Sequence, residues 1–349
     1  MADIPVIDLT PVGAGGADAA HVARRIDEVC RDLGFLVLTG HGVPAAVIDR
    51  CRQTARAFFD LPLDRKLAVR SADPAYPYGY LPVAVEGLAQ SLGKVTPGDL
   101  KESLSIGPFD ATPADAPRHA AAAYFFAPNL WPAAPPDLRA AWTDYFDHLL
   151  ALAHRLVDLF ALALELPPES FRPAFRRPLS SLRAINYPAL DAPPEPGQLR
   201  AGEHTDYGML TILLAEDVPG GLQVRRPGVA DNAPDAWIDV APPAVANADA
   251  FIVNIGDLLA RWTNDRWVST LHRVAVPPPD AAGDTRRQSL VFFHNTDWDA
   301  RIACLPTCLA PGEVPLYPPI SADEHRRVKY QRTLAMANAA PDQSWGGQS

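Results

Sequence analysis

Three observations predict an α+β fold in which helices buttress a jelly-roll-like barrel. Apolar residues at helical spacing cluster in the first half of the chain. Short apolar runs separated by turn signals fill residues 182–293, the pattern of a barrel or double-sheet sandwich. Within those runs His204-Thr205-Asp206 is followed far downstream by His272 and then by Arg287-Gln288-Ser289. Polar groups of this kind belong at the mouth of a barrel, where ligands are held.

The elements follow in order. Ile4 to Leu9 is a short apolar run that predicts a strand. Ala17 to Leu33 carries Ala20, Ala23, Ile26, Val29 and Leu33 on one helical face, with Gly34 as the stop. Phe35 to Leu38 reads as a buried strand that ends at Thr39-Gly40-His41-Gly42. Pro44, tolerated in a first turn, opens a helix running to about Asp60. Ser71 to Pro136 is rich in Pro, Gly and Ala and predicts loops with short elements. Leu138 to Leu166 is the longest helical pattern, closed by Pro167-Pro168. Turn signals at Asp191-Ala192-Pro193-Pro194, Pro219-Gly220-Gly221 and Pro277-Pro278-Pro279 then punctuate the strands. The chain is thus expected to divide into an N-terminal region (1–135) packing on the core, a long supporting helix (136–180), the jelly-roll (181–320), and a C-terminal helix and tail (321–349).

Composition narrows the function. A chain of 349 residues, 48% hydrophobic and 21% charged, can bury a sizeable core. A formal net charge of −10 argues against nucleic acid or an anionic membrane surface as partner, since both select basic faces. No apolar stretch approaches the roughly 18 residues of a membrane span, and Met1-Ala2-Asp3-Ile4-Pro5 lacks the features of a signal peptide. A cytoplasmic location is expected. Cys30, Cys51, Cys304 and Cys308 are not spaced as a zinc site and read as four reduced thiols.

The chemistry rests on residues that count only jointly. On a strand, residues i and i+2 share a face, so His204 and Asp206 would aim an imidazole and a carboxylate at one point. His272 from a distant strand completes a triangle. Two imidazoles and one carboxylate, with other positions open, form the ligand set of non-haem Fe(II) oxygenases. Arg287 and Ser289 also share a face, on a strand ending Leu290-Val291-Phe292-Phe293 that belongs to the core. A guanidinium and a hydroxyl so placed bind a carboxylate through charge-assisted hydrogen bonds, and a buried arginine needs an anionic partner.

With these elements in hand, the chain resembles the isopenicillin N synthase-like branch of the Fe(II)/2-oxoglutarate-dependent oxygenases, from about Ile4 to Pro318. Further matching segments are Gly34-Phe35 through Val43-Pro44, Phe58-Phe59-Asp60-Leu61-Pro62, Gly79-Tyr80-Leu81-Pro82, Lys101-Glu102, Pro128-Asn129-Leu130-Trp131-Pro132, and Asn254-Ile255-Gly256-Asp257 before Trp262-Thr263-Asn264-Asp265. The resemblance implies a double-stranded β-helix core, His204, Asp206 and His272 as iron ligands, and Arg287 and Ser289 on the distal carboxylate of 2-oxoglutarate. Asn186-Tyr187-Pro188 is one residue shorter than the family's Asn-Tyr-Tyr-Pro segment. Tyr187 keeps its place before the proline and is expected to face the co-substrate, whereas the displaced Asn186 carries no role across.

Candidate substrate contacts are Arg183, four residues before Tyr187, together with Tyr207, Phe293 and Glu86, while His41 and His294 read as structural. The reaction so implied consumes O2 and 2-oxoglutarate and releases succinate and CO2. It hydroxylates, desaturates or cyclises a small amino-acid-like or secondary-metabolite substrate. Three other readings stay open on the residues alone. One is an oxidase of the isopenicillin N synthase type, in which Arg-x-Ser holds a substrate carboxylate. Another is a silent small-molecule-binding member of the fold. The third is a zinc hydrolase, since zinc accepts the same ligands, although no general-base glutamate accompanies them. Oligomeric state is left open.

Overall fold

Alternation along one strand, Arg287–His294, separates the structural core from the site. Leu290 and Phe292 join the main apolar cluster on one face, while Val291 and Phe293 belong to a second cluster on the other. The structure, a computed structural model, describes residues 4–12, 17–73, 76–108, 126–190, 192–230, 233, 235–240, 250–281 and 283–328.

The strands are β1 (Val6–Asp8), β2 (Phe35–Thr39), β3 (Gly79–Leu81), β4 (Glu102–Ile106), β5 (Ser181–Tyr187), β6 (Ala201–His204), β7 (Leu210–Ala215), β8 (Leu222–Arg225), β9 (Trp237–Val240), β10 (Phe251–Ile255), β11 (His272–Val274), β12 (Arg287–His294), β13 (Arg301–Ile302) and β14 (Ile320–Ser321). An eight-stranded sheet runs β1-β2-β10-β7-β12-β5-β4-β3, and a four-stranded sheet runs β6-β11-β8-β9. Every pair in both sheets is antiparallel except β1 with β2. Residues from both sheets meet in one cluster: Ile185, Tyr187 and Val291 of the large sheet against Ala201 and Val274 of the small one. Two sheets closing on a shared interior are the jelly-roll expected from the sequence.

Helices cover the outer face of the large sheet. They are α1 (Ala17–Asp32), α2 (Ala45–Phe59), α3 (Leu63–Leu67), α4 (Leu138–Ala163) and α5 (Asp257–Trp262). Along α4, Leu138, Trp142, Tyr145, Phe146, Leu149, Leu152 and Leu156 fall at three- and four-residue intervals and are buried. Phe146 meets Phe292 edge to face at 5.1 Å between ring centres, which fixes the helix over the middle of β12. The stop after α1 has a steric reason. Gly34 sits at φ +68°, and a Cβ there would lie 2.0 Å from the Val268 carbonyl oxygen.

The helical first half and stranded second half expected from the sequence are only partly segregated. β1 to β4 all come from the first half, and they occupy both ends of the large sheet. Most of the C-terminal helix and tail expected over 321–349 lies outside the described residues. The four cysteines are free thiols, Cys30 and Cys51 fully buried. Among the described residues no helix is long and apolar enough to cross a membrane.

Candidate metal centre and co-substrate site

His204, the last residue of β6, and His272, the first of β11, stand directly opposite each other in the antiparallel register. Their rings are 4.2 Å apart at the centroids. Each Nδ1 lies against a backbone carbonyl, Gly202 at 2.8 Å and Thr270 at 3.1 Å, so each proton is assigned to Nδ1 and each Nε2 lone pair faces inward. Asp206 Oδ1 lies 3.9 Å from His204 Nε2 and 3.7 Å from His272 Nε2. One ligand atom from each of the three residues falls within 4.8 Å of the others.

The local route to this triangle differs from the strand argument. β6 ends at His204, and Asp206 lies in the turn that follows. Backbone contacts, not the i, i+2 pleat, bring it round. Asp257 donates its N–H to the Asp206 carbonyl at 2.7 Å, and Thr205 Oγ1 donates to the Asp257 carboxylate at 3.0 Å. A Cβ at Gly256 would come within 2.3 Å of the Gly208 carbonyl and 2.9 Å of that of Asp206. Glycine therefore lets the end of β10 close on the turn.

Two residues unassigned by sequence reasoning complete the centre. Thr211 Oγ1 at 2.5 Å and Asn254 Nδ2 at 2.7 Å both donate to Asp206 Oδ2, leaving Oδ1 to face the imidazoles. A signal existed for both: each is a polar side chain inside an otherwise apolar strand, Leu-Thr-Ile-Leu-Leu-Ala and Phe-Ile-Val-Asn-Ile.

Burial, reinforced by the neighbouring His272, pushes His204 down to about 3. Burial alone would raise Asp206, but His272, His204 and the two hydrogen bonds hold it below the ordinary carboxylate range. At neutral pH the centre offers a deprotonated carboxylate and a neutral His204. This donor set fits a divalent metal with sites left open for O2 and an organic ligand.

Arg287 and Ser289 do share the inner face of β12, and Arg287 pairs across the ladder with Tyr187 on β5. Its Nη1 donates to Ser289 Oγ at 2.8 Å and its Nε to the Glu216 carbonyl at 3.2 Å. The guanidinium lies 5.3 Å from the centre of the Tyr187 ring. All three side chains are buried, and among the described residues no carboxylate pairs with Arg287. A buried guanidinium beside a hydroxyl, without an internal counterion, has the chemistry to receive a carboxylate.

Arg183 points along the same inner face, and the carboxylate it meets is that of Glu86. The distances are 3.2 and 3.3 Å from Nη1, and Nε donates to Ser105 Oγ at 2.9 Å. Glu86 also takes Lys101 at 3.0 Å, and Lys101 donates to Asp99 at 2.8 Å. Burial opposes charge on Glu86, yet Lys101 and Arg183 hold its carboxyl far below the usual range. Asp99 in turn accepts the N–H of Gly202 at 2.9 Å, two residues before His204 of the triad. Sequence reasoning did not single out Asp99, and it offered Lys101 only as part of a matching segment. Phe293 packs with Ile185, Val291 and Leu213 on this inner wall. Tyr207 instead lines a cleft with Leu179, Leu258, Trp298 and Asp323.

Asn186 faces away, accepting from Arg286 and donating to Glu102 at 2.8 Å each. His41 and His294 are structural. His41 Nδ1 accepts the Val43 N–H at 3.1 Å, and His294 stacks on Phe175 with Ser180 Oγ 2.9 Å from its Nδ1.

Comparison with known proteins agrees with this geometry. Residues 179–296 match the 2OG-Fe(II) oxygenase superfamily, and residues 4–134 match the N-terminal region of the non-haem dioxygenases in morphine synthesis. The chain is 33% identical over 340 residues to the 2-oxoglutarate-Fe(II) type oxidoreductase hxnY of Emericella nidulans, covering 96% of this chain and 91% of that protein. It is 31% identical over 312 residues to validamycin A dioxygenase of Streptomyces hygroscopicus subsp. limoneus, covering 88% and 81%. The crystal structure of a full-length Neurospora crassa protein in complex with α-ketoglutarate and thymine superposes with a TM-score of 0.77 at 28% identity, over 96% of this chain and 97% of that one. With its histidine–aspartate–histidine centre and jelly-roll core, the chain belongs to the 2OG-Fe(II) oxygenase superfamily and is an Fe(II)- and 2-oxoglutarate-dependent oxygenase.

Proposed function

We propose that this oxygenase hydroxylates a C–H bond of a small, polar, nitrogen-bearing molecule. In this reading His204, Asp206 and His272 hold the iron. Arg287 and Ser289 grip the distal carboxylate of 2-oxoglutarate, and Tyr187 packs beside it. When bound, iron and 2-oxoglutarate supply the O2 activation and release succinate and CO2. The protein orients the ligands and keeps water from the interior between the sheets. The observation that carries the reading is the burial of a carboxylate-free Arg287 on the inner face that the metal triad also closes.

Support for the substrate class comes from the Arg183–Glu86 pair set in an apolar wall of Ile185, Val291 and Phe293. Such a pair offers a donor and an acceptor side by side, which suits an amide-like or amino group better than a bare hydrocarbon. The relative named for validamycin A and the thymine-bound structure concern polar, nitrogen-bearing molecules of this kind. We place the protein in the cytoplasm, in keeping with its four free thiols, and in secondary metabolism by analogy with these relatives.

The test is anaerobic addition of Fe(II) and 2-oxoglutarate to metal-free protein, followed in the visible charge-transfer band of the chelate. The band is expected in the parent, and its loss at limiting 2-oxoglutarate in Arg287→Ala. A band unchanged in that variant sinks the carboxylate assignment. Turnover against a panel of small nitrogen-bearing molecules should then give succinate and a product carrying one added oxygen atom. A product lacking two hydrogens would instead assign desaturation.

A further inference from the structure

A second buried arginine lies beside the one that faces the co-substrate. Arg200 immediately precedes β6, four residues before the ligand His204, and is completely buried. Its Nη1 donates to the carbonyls of Pro219 and Gly220, both at 3.0 Å, and its Nη2 donates to the carbonyl of Thr285. Its Nε is buried with no partner. The guanidinium lies 5.9 Å from the centre of the Tyr187 ring, the same ring that Arg287 approaches to 5.3 Å. Burial, and next the charge of Arg287, push Arg200 down to about 10, so it remains a cation at neutral pH. Among the described residues neither guanidinium has a carboxylate within ion-pair distance.

Two cations enclosed around one phenol, with no anion between them, are costly as they stand. Carbonyl oxygens satisfy hydrogen bonds but carry no net charge, and the unpartnered Nε shows that the carbonyl cage does not complete the solvation of Arg200. The group that would balance the pair is an anion lodged beside Tyr187.

We propose that Arg200 is a second cation for the distal carboxylate of the 2-oxo acid, and that the Arg200–Tyr187–Arg287 arrangement sets the preference for a dicarboxylate co-substrate. This rests on the assignment of Arg287 and Ser289 to that carboxylate. Arg200 acts through its charge and through Tyr187, as a positioning residue. It explains why so large a charge is buried beside the strand that bears an iron ligand.

The experiment compares 2-oxoglutarate with 2-oxobutanoate, which keeps the metal-chelating end and lacks the distal carboxylate. Dissociation constants are read from the chelate band of Fe(II)-loaded protein under anaerobic conditions. Arg200→Gln keeps an amide donor for the carbonyls but removes the charge. It is expected to weaken 2-oxoglutarate about tenfold or more, as loss of a partly buried charge interaction does, and to leave 2-oxobutanoate unchanged. The thermal stabilisation given by 2-oxoglutarate should shrink in parallel. Equal weakening of both acids, or no change in either, overturns the proposal. Arg200→Lys, which retains the charge, is expected to retain the preference, and its loss there also overturns the proposal, including where the glutamine variant does not fold. Arg287→Gln separates the two readings. If it abolishes the preference while Arg200→Gln does not, the Arg287 assignment stands and only the second cation fails. If neither variant affects it, both fail.

Discussion

Asn254 donates its side-chain amide at 2.7 Å to the Asp206 oxygen that faces away from the two histidines. Together with Thr211 it fixes the rotation of the carboxylate, so that one oxygen is spent on the protein and the other is presented to the metal. Removing it frees that rotation without touching a ligand. Asn254→Ala is expected to weaken Fe(II) binding by about 10- to 100-fold, the usual effect of losing such a support. A titration against a competing chelator reads this directly, and unaltered affinity would show that Thr211 suffices alone.

Glu86 gives a different kind of prediction, since the proposed function places it on the substrate wall while it lies outside the metal triad. Glu86→Gln keeps the shape and removes the charge that balances Arg183 and Lys101. The chelate band with 2-oxoglutarate should persist with little change. Turnover of the prime substrate should fall by about tenfold or more, with 2-oxoglutarate consumption less affected, because one charge-assisted contact is worth roughly 1.5–3 kcal/mol. Equal loss of both activities would move Glu86 out of the substrate wall.

Stability should depend on the helix-facing side of β12. Phe292 is fully buried and meets Phe146 at 5.1 Å. Phe292→Ala should cost about 3–5 kcal/mol in reversible denaturant unfolding. A cost below about 1 kcal/mol would mean that α4 collapses into the space.

Acid sensitivity follows from His294. Burial, with His154 nearby, pushes it down to about 3, whereas an unfolded histidine titrates near about 6.5. As pH falls through that interval the unfolded chain takes up the proton and the folded protein does not, so stability is lost toward acid. In metal-free protein His204 contributes with the same sign. Replacing His294 with Gln should flatten the loss between roughly pH 6.5 and 4.5 by up to about 1.4 kcal/mol per pH unit. Melting temperature against pH in both proteins measures it, and parallel curves would count against the assignment.

The legible parts of this protein are those governed by local pattern. Gly34 marks the end of α1 because glycine readily accepts its positive φ, which is a local property, whereas its approach to Val268 is a long-range contact that the local pattern does not disclose. The shared face of Arg287 and Ser289 was readable because the apolar residues that follow them on the same strand reveal it, whereas the short strand Ala-Gly-Glu-His gives His204 no such pattern. Asp206 does stand beside the two histidines, but by a turn rather than by the strand pleat, since nothing in His-Thr-Asp discloses that the strand stops at the histidine. The Asp99–Lys101–Glu86–Arg183 chain was not legible. It joins a loop, a segment beside β4 and the middle of β5, and only the paired strands bring those together. Arg200 was missed for a related reason: an arginine before a strand reads as exposed unless its burial is known.

The pairing of β2 with β10, Leu38 opposite Phe251 and Phe35 opposite Asn254, has a consequence for assembly. The strand that carries the support for Asp206 is hydrogen-bonded on one side to residues from near the beginning of the chain. A nascent chain cannot close this centre until the later strand has left the ribosome, and such distant pairings are slow to form. The same arrangement makes the catalytic half a poor fragment. Cut free of its first forty or so residues, it would present Phe251–Ile255 as an uncovered apolar edge, a ready template for aggregation. The N-terminal region is therefore part of the oxygenase core in a mechanical sense, the seam that covers the outer side of β10.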